Sequence, residues 1–520
     1  MAAKNNTDIG FEKQIWDAAC VLWGHIPAAE YRKVIVGLIF LRYISSAFEK
    51  RYEELIKEGD GFENDRDAYA EENIFFVPEE ARWSTIASAA HTPEIGLVID
   101  NAMRAIEKEN TTLKNVLPKN YASPDLDKRV LGEVVDLFTN EVKMDGTEAS
   151  KDLLGRTYEY CIAQFASYEG TKGGEFYTPS SIVKTIVSIL KPFNNCRVYD
   201  PCCGSGGMFV QSEKFVQAHS DKRGTISVYG QESNADTWKM AKMNMAIRGI
   251  DANFGPYHAD TFFNDLHKTL KADFIMANPP FNLSNWGQDK LKEDVRWKYG
   301  LPPAGNANYA WILHMLSHLK PNKGVAGFLL ANGALNDSDT LNIRRKLIEN
   351  DKVEAIIVLP RELFITTDIS VTLWMLNQNK RGGEYNGRNL RDRQGEILFV
   401  DLRQWTENRV KDENKKKVQL THEQIQRAVD IYHTWQNVGT DGNNYEAPEL
   451  YRSVHIKEIE ENNWALTPSK YIEFIDRDLD IDFKKEMSRI QKEMSNLMKQ
   501  EKASQKMLEE AFRGIGYEID

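Results

Sequence analysis

At 520 residues and 42% hydrophobic the chain is long enough for more than one core, and its five cysteines form no CxxC pair and flank no histidine at zinc-ligand spacing, which excludes a disulfide scaffold and a structural zinc module. The net charge of −11 excludes wholesale electrostatic wrapping of nucleic acid, so a polyanionic partner requires a local basic patch or a helper subunit. The sequence contains neither an apolar run of about 18 residues nor an apolar signal core near its start, so a cytoplasmic protein without a membrane span is expected.

In chain order, residues 1–165 read as a helical N-terminal domain. FEKQIWDAACVLWG, AEYRKVIVGLIFLRYISSAFEKRYEELIKEG and LGEVVDLFTNEV carry apolar residues at three- and four-residue spacing, and strand-like runs are scarce. DGFENDRDAYAEEN and the segment around Asn120 and Tyr121 read as solvated connections, because turn formers and charge outnumber apolar anchors there. Residues 166–475 read as an α/β domain. The short apolar runs CRVYD, TISVYGQE, ADFIMA, GVAGFLL, VEAIIVL, VTLWMLN and EILFVDL alternate with helical stretches, as in a parallel sheet covered by helices. The polar, glycine-rich run NKRGGEYNGRNLRDRQG predicts a surface loop between late strands.

Residues 476–520 read as a C-terminal helical segment. Phe483, Met487, Ile490, Met494 and Leu497 fall at alternating steps of four and three, a heptad-like stripe. Lys484, Lys485, Arg489, Lys492, Lys499, Lys502 and Lys506 occupy its other faces, which suits a partner helix, an acidic surface or DNA as well as docking on its own chain.

Five stretches carry candidate chemistry. In RVYDPCCGSGGMFV, Asp200 ends a strand and Gly204, Ser205, Gly206 and Gly207 lead into a helix, so backbone amides can approach a ligand closely; the Lys-Ser/Thr pair of a phosphate loop and the G-x-G-x-x-G spacing of dinucleotide folds are both missing. Glu232 ends the next strand, where an acid can accept both hydroxyls of a ribose. Asp260, in FGPYHADTF, is placed to accept a bond from the exocyclic amino group of an adenine.

Upstream, Glu175, Phe176, Tyr177, Thr178, Pro179 and Ser180 set an aromatic pair beside a turn proline, which can close one side of a pocket; a helix start capped by its serine reads the same. Finally, ADFIMANPPFN stops an apolar strand with Pro279 and Pro280, which cannot continue a ladder. The turn presents the amide of Asn278 and the ring of Phe281, a pairing that grips a flat polar molecule at its edge and its face. Each stretch taken alone also has a bland reading, as a structural turn, a solvated acid or a strand-capping bend.

Taken in order, GGEFYTP, DPCCGSGG, GQE and NPPF resemble the motifs of S-adenosylmethionine-dependent DNA amino-methyltransferases of the type I restriction-modification family, and the likeness to its methylation (HsdM-like) subunits extends over nearly the whole chain. The resemblance implies a Rossmann-like class I methyltransferase sheet of the α/β class with a helical N-terminal domain and a C-terminal helix. It also implies methyl transfer to adenine N6 in double-stranded DNA.

By the same resemblance, residues 175–180 lie over the methionine end of the cofactor S-adenosylmethionine. Asp200 and the glycine turn surround its amino-acid part, Glu232 holds the ribose and Asp260 faces its adenine. Asn278, Pro279, Pro280 and Phe281 form the catalytic turn: Asn278 and the Pro279 carbonyl accept hydrogen bonds from the target amino group, and Phe281 stacks on a base flipped out of the duplex. No metal is implied, and Cys202 and Cys203, where the family tolerates small residues, are assigned to the pocket wall. The implied partners are a specificity subunit, commonly one per two methylation subunits, and a restriction subunit. Competing readings are transfer to cytosine N4 or a protein glutamine, and a catalytically silent cofactor-binding scaffold.

Overall fold

The apolar runs become strands of one ten-stranded sheet in the computed structural model, which describes residues 16, 20, 28–140, 148–169, 177–219, 225–364, 368–412, 415–475 and 483–514. In chain order the strands are β1 (Arg197–Asp200), β2 (Ser227–Gly230), β3 (Ala252–Asn253), β4 (Phe274–Ala277), β5 (Val325–Ala331), β6 (Val353–Val358), β7 (Val371–Asn377), β8 (Gly383–Tyr385), β9 (Arg388–Leu390), β10 (Glu396–Asp401), β11 (Arg409–Asp412), β12 (Lys415–Val418), β13 (Glu446–Ala447) and β14 (Tyr451–His455). The sheet order is β13-β14-β10-β6-β7-β5-β4-β1-β2-β3, while β8 with β9 and β11 with β12 form separate hairpins.

Strands β1 to β5 are mutually parallel, as the alternation of strands and helices predicts. Strand β7 departs from that expectation. It inserts antiparallel between β5 and β6, a reversal that hydrophobic pattern cannot report because an apolar run reads the same in both directions.

The apolar runs are continuous because both faces of the sheet are covered. Along β1 and β4, Val198, Phe274 and Met276 enter one hydrophobic cluster, while Tyr199, Ile275 and Ala277 enter a second on the opposite face. The first cluster is shared with helices Ala28–Glu58 and Ile95–Glu109 of the N-terminal region. Helix Ala28–Glu58 packs on helices Glu148–Glu169 and Ala235–Ile247, so the helical region abuts the elements that flank the strand ends. The chain divides into two compact units, Met1–Ile472 and Glu473–Asp520. In the second, helix Phe483–Gly514 exposes the whole expected stripe, with Phe483 74% accessible. Among the described residues no helix is long and apolar enough to cross a membrane.

Two segments expected at the surface lie mostly there but bury individual polar residues. Tyr121 is fully buried, and its hydroxyl donates to Val34 O at 3.0 Å. The polar run from Asn379 to Gly395 sends Lys380 and Arg393 into the interior, where Lys380 pairs with Asp351 at 3.2 Å and Arg393 meets Glu354, a fully buried residue of β6. Arg393 Nε donates to Glu354 Oε1 at 3.0 Å, Gln436 Nε2 to the same oxygen at 3.1 Å and the Tyr432 hydroxyl to Oε2 at 3.0 Å. Burial alone would push this carboxyl up; the guanidinium and its amide donors hold it below the ordinary value. Deleting the acid leaves the buried Arg393 guanidinium without its carboxylate, so Glu354→Ala is expected to cost about 3–5 kcal/mol. The check is a denaturant titration beside Glu354→Gln, which retains the shape and should lose less.

Candidate functional site

The sheet changes winding direction at β1. The chain runs outward through β2 and β3 on one side, then returns to build β4 and β5 on the other. In open α/β sheets such a switch opens a crevice beyond the carboxyl ends of the two central strands. The β1–β4 register, Val198 beside Phe274 and Tyr199 beside Ile275, sets the end of β1 at Asp200 next to the end of β4, which Asn278 follows.

The turn after β1 can pass through this crowded place because Gly204 and Gly206 adopt left-handed conformations, with φ of 53° and 81°. A Cβ on Gly206 would lie 2.9 Å from Met245 Cε, so a side chain is excluded sterically as well. Gly207 then begins helix Gly207–Ala218.

A cavity of about 390 Å³ occupies the crevice, within the size range of small-molecule sites. Of the residues singled out by sequence, Tyr177, Thr178, Ser180, Asp200, Gly204, Ser205, Gly207 and Asn278 line it. Glu175 and Phe176 lie outside the described residues. Pro179 precedes helix Ser180–Leu190 at its cap position and Ser180 is the first helical residue, so the serine makes no cap.

Asp200 is 2% exposed. Burial, with Glu232 nearby, pushes its carboxyl up to about 7 against the pull of the Cys202 amide, which donates to Oδ1 at 3.0 Å. Glu232 is buried too, and backbone amides use both its oxygens: Gly204 N donates to Oε2 at 3.1 Å and Asn234 N to Oε1 at 2.8 Å. It therefore braces the glycine turn from β2. Burial drives the thiols of Cys202 and Cys203 far up, so they stay protonated and serve as wall.

On the opposite side, Asn278 Nδ2 donates to Thr178 Oγ1 at 3.1 Å. Its Oδ1 is buried and meets no donor. An unsatisfied buried acceptor is costly, and this one borders a cavity. Pro279 is buried, Pro280 is exposed and Phe281 is half-buried, its ring edge-on to Phe364 with 6.2 Å between centroids. Asp260 is exposed and does not line the cavity. Its Oδ1 accepts the amides of Phe262 and Phe263 at 2.8 and 3.0 Å, a turn within its own loop.

Sequence reading missed one wall entirely: Arg156, Glu159 and Tyr160 of helix Glu148–Glu169 face the cavity from a stretch read as helical domain. It also missed Asn244, which lines the cavity and whose Nδ2 donates to Ser205 O at 2.7 Å. Neither lies in a glycine, proline or acidic motif, so neither left a local signal. Elsewhere, Asp265, His314 and His318 bring ligand atoms within 4.8 Å of one another. Those atoms are engaged already: His318 Nε2 pairs with Asp265 at 3.0 Å, His314 Nε2 with the Tyr199 hydroxyl at 3.0 Å and His314 Nδ1 with Arg296 at 3.0 Å. A guanidinium against His314 opposes a second cation there.

A family model described as N-6 DNA Methylase matches residues 149–479, and one described as HsdM N-terminal domain matches residues 11–138. The methylase subunit of type I restriction enzyme HindI from Haemophilus influenzae is 39% identical, the alignment covering 85% of this chain and all of that protein. The MjaIX methylase subunit from Methanocaldococcus jannaschii is 32% identical over 98% of this chain and 92% of its own length. In three dimensions the chain is similar to a type I restriction-modification methyltransferase subunit from Streptococcus thermophilus, with a TM-score of 0.75 at 22% identity, covering 90% of this chain and 100% of that one.

Because the folded chain holds a proton on Asp200 up to about pH 7 that an unfolded carboxyl releases near 4, stability should fall as pH rises through that window. Asp200→Asn keeps the acceptor for the Cys202 amide and should abolish the loss, worth on the order of a few kcal/mol at pH 8. Unfolding of the ligand-free chain and the variant between pH 4 and 8 checks this; parallel curves would contradict it.

Proposed function

The chain belongs to the N-6 DNA methylase family, among the type I restriction enzyme methylase subunits, and from that premise we propose that its switch-point crevice transfers a methyl group to adenine N6 of double-stranded DNA at sites chosen by a specificity subunit. The observation that carries this reading is the buried, unpartnered Oδ1 of Asn278 beside the cavity. Fold and family imply use of S-adenosylmethionine. The residues present fit it: the cavity has the required size, and Asp200, which no cation among the described residues neutralises, suits a ligand with an ammonium group. When bound, S-adenosylmethionine supplies an electrophilic methyl carried on sulfonium.

The chain's own residues do the rest. Asp200, Gly204, Ser205, Gly206 and Gly207 enclose the amino-acid end, residues 175–180 close over it, Glu232 takes the ribose, and the adenine falls to the loop that carries Asp260, whose own carboxylate stands outside the cavity and holds that loop's turn. The adenine target's amino lone pair is delocalised into its ring. Two acceptors, Asn278 Oδ1 and the Pro279 carbonyl, draw the nitrogen toward tetrahedral geometry and align it for attack. Thr178 fixes the amide orientation by taking the Nδ2 proton, which leaves Oδ1 as the acceptor on offer. Extruding the base costs a few kcal/mol. Stacking on Phe281, held by Phe364 behind it, offsets roughly 1–3 kcal/mol of that.

In this reading the chain works in the cytoplasm in three parts: 1–165 closing over DNA, 166–475 performing transfer and 476–520 binding the specificity subunit, with two methylation subunits per specificity subunit and a restriction subunit joining later. The acidic net charge is consistent with leaving sequence choice to a partner.

Transfer from labelled S-adenosylmethionine to duplex DNA, with the chain alone and with its specificity subunit, followed by mass spectrometry of the nucleosides, tests the reading. N6-methyladenine is expected only with the partner. Asn278→Ala should lower the rate by about 10²–10³-fold while cofactor affinity changes little. Methylcytosine would overturn the substrate, and cofactor binding without any transfer would leave a silent scaffold. Deleting residues 481–520 should weaken co-purification with the specificity subunit; undiminished recovery of the truncated chain in the complex refutes that role.

A further inference from the structure

Arg296 is 8% exposed, and all five of its N–H groups are used. Nε donates to Asp294 Oδ1 at 2.8 Å, and one Nη2 hydrogen goes to Asp294 Oδ2 at 2.7 Å. The other Nη2 hydrogen reaches Phe262 O at 2.5 Å, and Nη1 serves Thr261 O and His314 Nδ1, each at 3.0 Å. Since Nδ1 of His314 accepts, its proton sits on Nε2, which donates to the Tyr199 hydroxyl at 3.0 Å, one residue before Asp200.

In the functional reading above, the two loops that Arg296 joins belong to opposite sides of the site. The first, residues 259–266, carries Asp260. Gln231 holds it from the sheet: its Nε2 donates to Ala259 O at 3.2 Å and Asn264 O at 2.8 Å, and Leu266 N donates to its Oε1 at 3.0 Å. Thr261 Oγ1 ties it to Pro201 O at 2.6 Å. The carbonyls of Thr261 and Phe262 point the other way, to Arg296.

The second loop, residues 282–307, leaves directly from Phe281 and returns beside it. Asn282 and Asn308 exchange two hydrogen bonds of 3.0 and 2.9 Å, and Ala307 N donates to Leu283 O at 3.0 Å. Phe262 also packs on Trp286 across the junction, with ring centroids 5.2 Å apart.

We propose that Arg296 is a positioning residue that locks the cofactor-side loop 259–266 to the target-side loop 282–307, so that ligand binding on either side orders the other. The proposal rests on the functional reading above and extends it. Arg296 touches neither substrate; it acts through the Asp260 loop and the segment that follows the catalytic turn. Lysine cannot replace it, because three donors on a flexible stem cannot span a carboxylate, two carbonyls and a ring nitrogen together. Coupling of this kind is reciprocal, so the factor by which cofactor raises affinity for a target duplex equals the factor by which the duplex raises affinity for cofactor.

The experiment uses the full chain in complex with its specificity subunit. S-adenosylmethionine binding is measured by calorimetry with and without a target duplex, duplex binding is measured with and without S-adenosylmethionine, and KM and kcat are determined separately. In Arg296→Lys the cofactor should bind at least about tenfold more weakly, and the mutual enhancement should fall toward one. kcat at saturation should stay within about threefold, because Asn278 and Phe281 are intact. Asp294→Asn, which leaves the guanidinium in place and loosens only its anchor, should show the same split to a smaller degree and serves if the lysine variant does not fold. A lower melting temperature with unchanged cofactor affinity and unchanged enhancement in both variants overturns the proposal. So does an unaltered complex that shows no mutual enhancement. Absence of methyl transfer by the unaltered complex overturns the functional reading itself, an outcome distinguishable from the others because it needs no variant.

Discussion

The parallel pairing of β1 with β4 is the constraint on which the site depends. The two strands are far apart in the chain, yet their register sets the end of one at Asp200 and of the other at Ala277, so that the glycine turn and the Asn-Pro-Pro-Phe turn open onto the same crevice. The glycines let the first turn pass without side chains, and the prolines stop the second from prolonging the ladder. A Cβ at Gly206 would press on Met245, 2.9 Å from its Cε, in a backbone conformation that side chains rarely adopt.

Around that crevice the protein leaves two polar groups uncompensated while satisfying their neighbours. Among the described residues Asp200 faces no neutralising cation and Asn278 Oδ1 meets no donor, whereas Glu232, Gln231 and Thr178 are all committed to hydrogen bonds that brace the turns. Such vacancies cost stability in the free protein and are returned on binding. The cost is borne by a core that covers both faces of the sheet and by buried polar hubs elsewhere. Glu354, in β6, gathers one guanidinium and three neutral donors, and Arg296 spends every donor it has on two loops and a histidine. The two hubs differ in position: the first lies within the sheet, and the second stands between loops 259–266 and 282–307.

Much of the site was legible in the sequence because its groups are announced by backbone chemistry. Gly204 and Gly206 mark left-handed turns, Pro279 and Pro280 mark a strand end, and an acid follows a strand at Glu232. What sequence reading mistook were polar residues whose burial depends on distant partners. Lys380 and Arg393 sit in a run that looks like solvent-exposed loop, and it is Asp351 and Glu354, just before and within β6, that receive them inside. Tyr121 looked like part of a solvated connection until its hydroxyl found the Val34 carbonyl. Arg156, Tyr160 and Asn244 line the cavity from helices whose local pattern says nothing of a ligand.

By itself, then, the sequence determined the main strands and helices, where the chain must turn, the heptad stripe of the last helix and the order of the motifs, because each follows from local periodicity or from what glycine and proline permit. Only the tertiary structure decided that β7 runs antiparallel, that helix Glu148–Glu169 forms a wall of the cavity, that Asn278 keeps an unpartnered acceptor while Thr178 takes its donor, and that Arg296 bridges two loops. Strand direction, shared walls and hydrogen-bond satisfaction are set by residues far apart in the chain. No local window contains both partners, so their pairing exists only once the fold has brought them together.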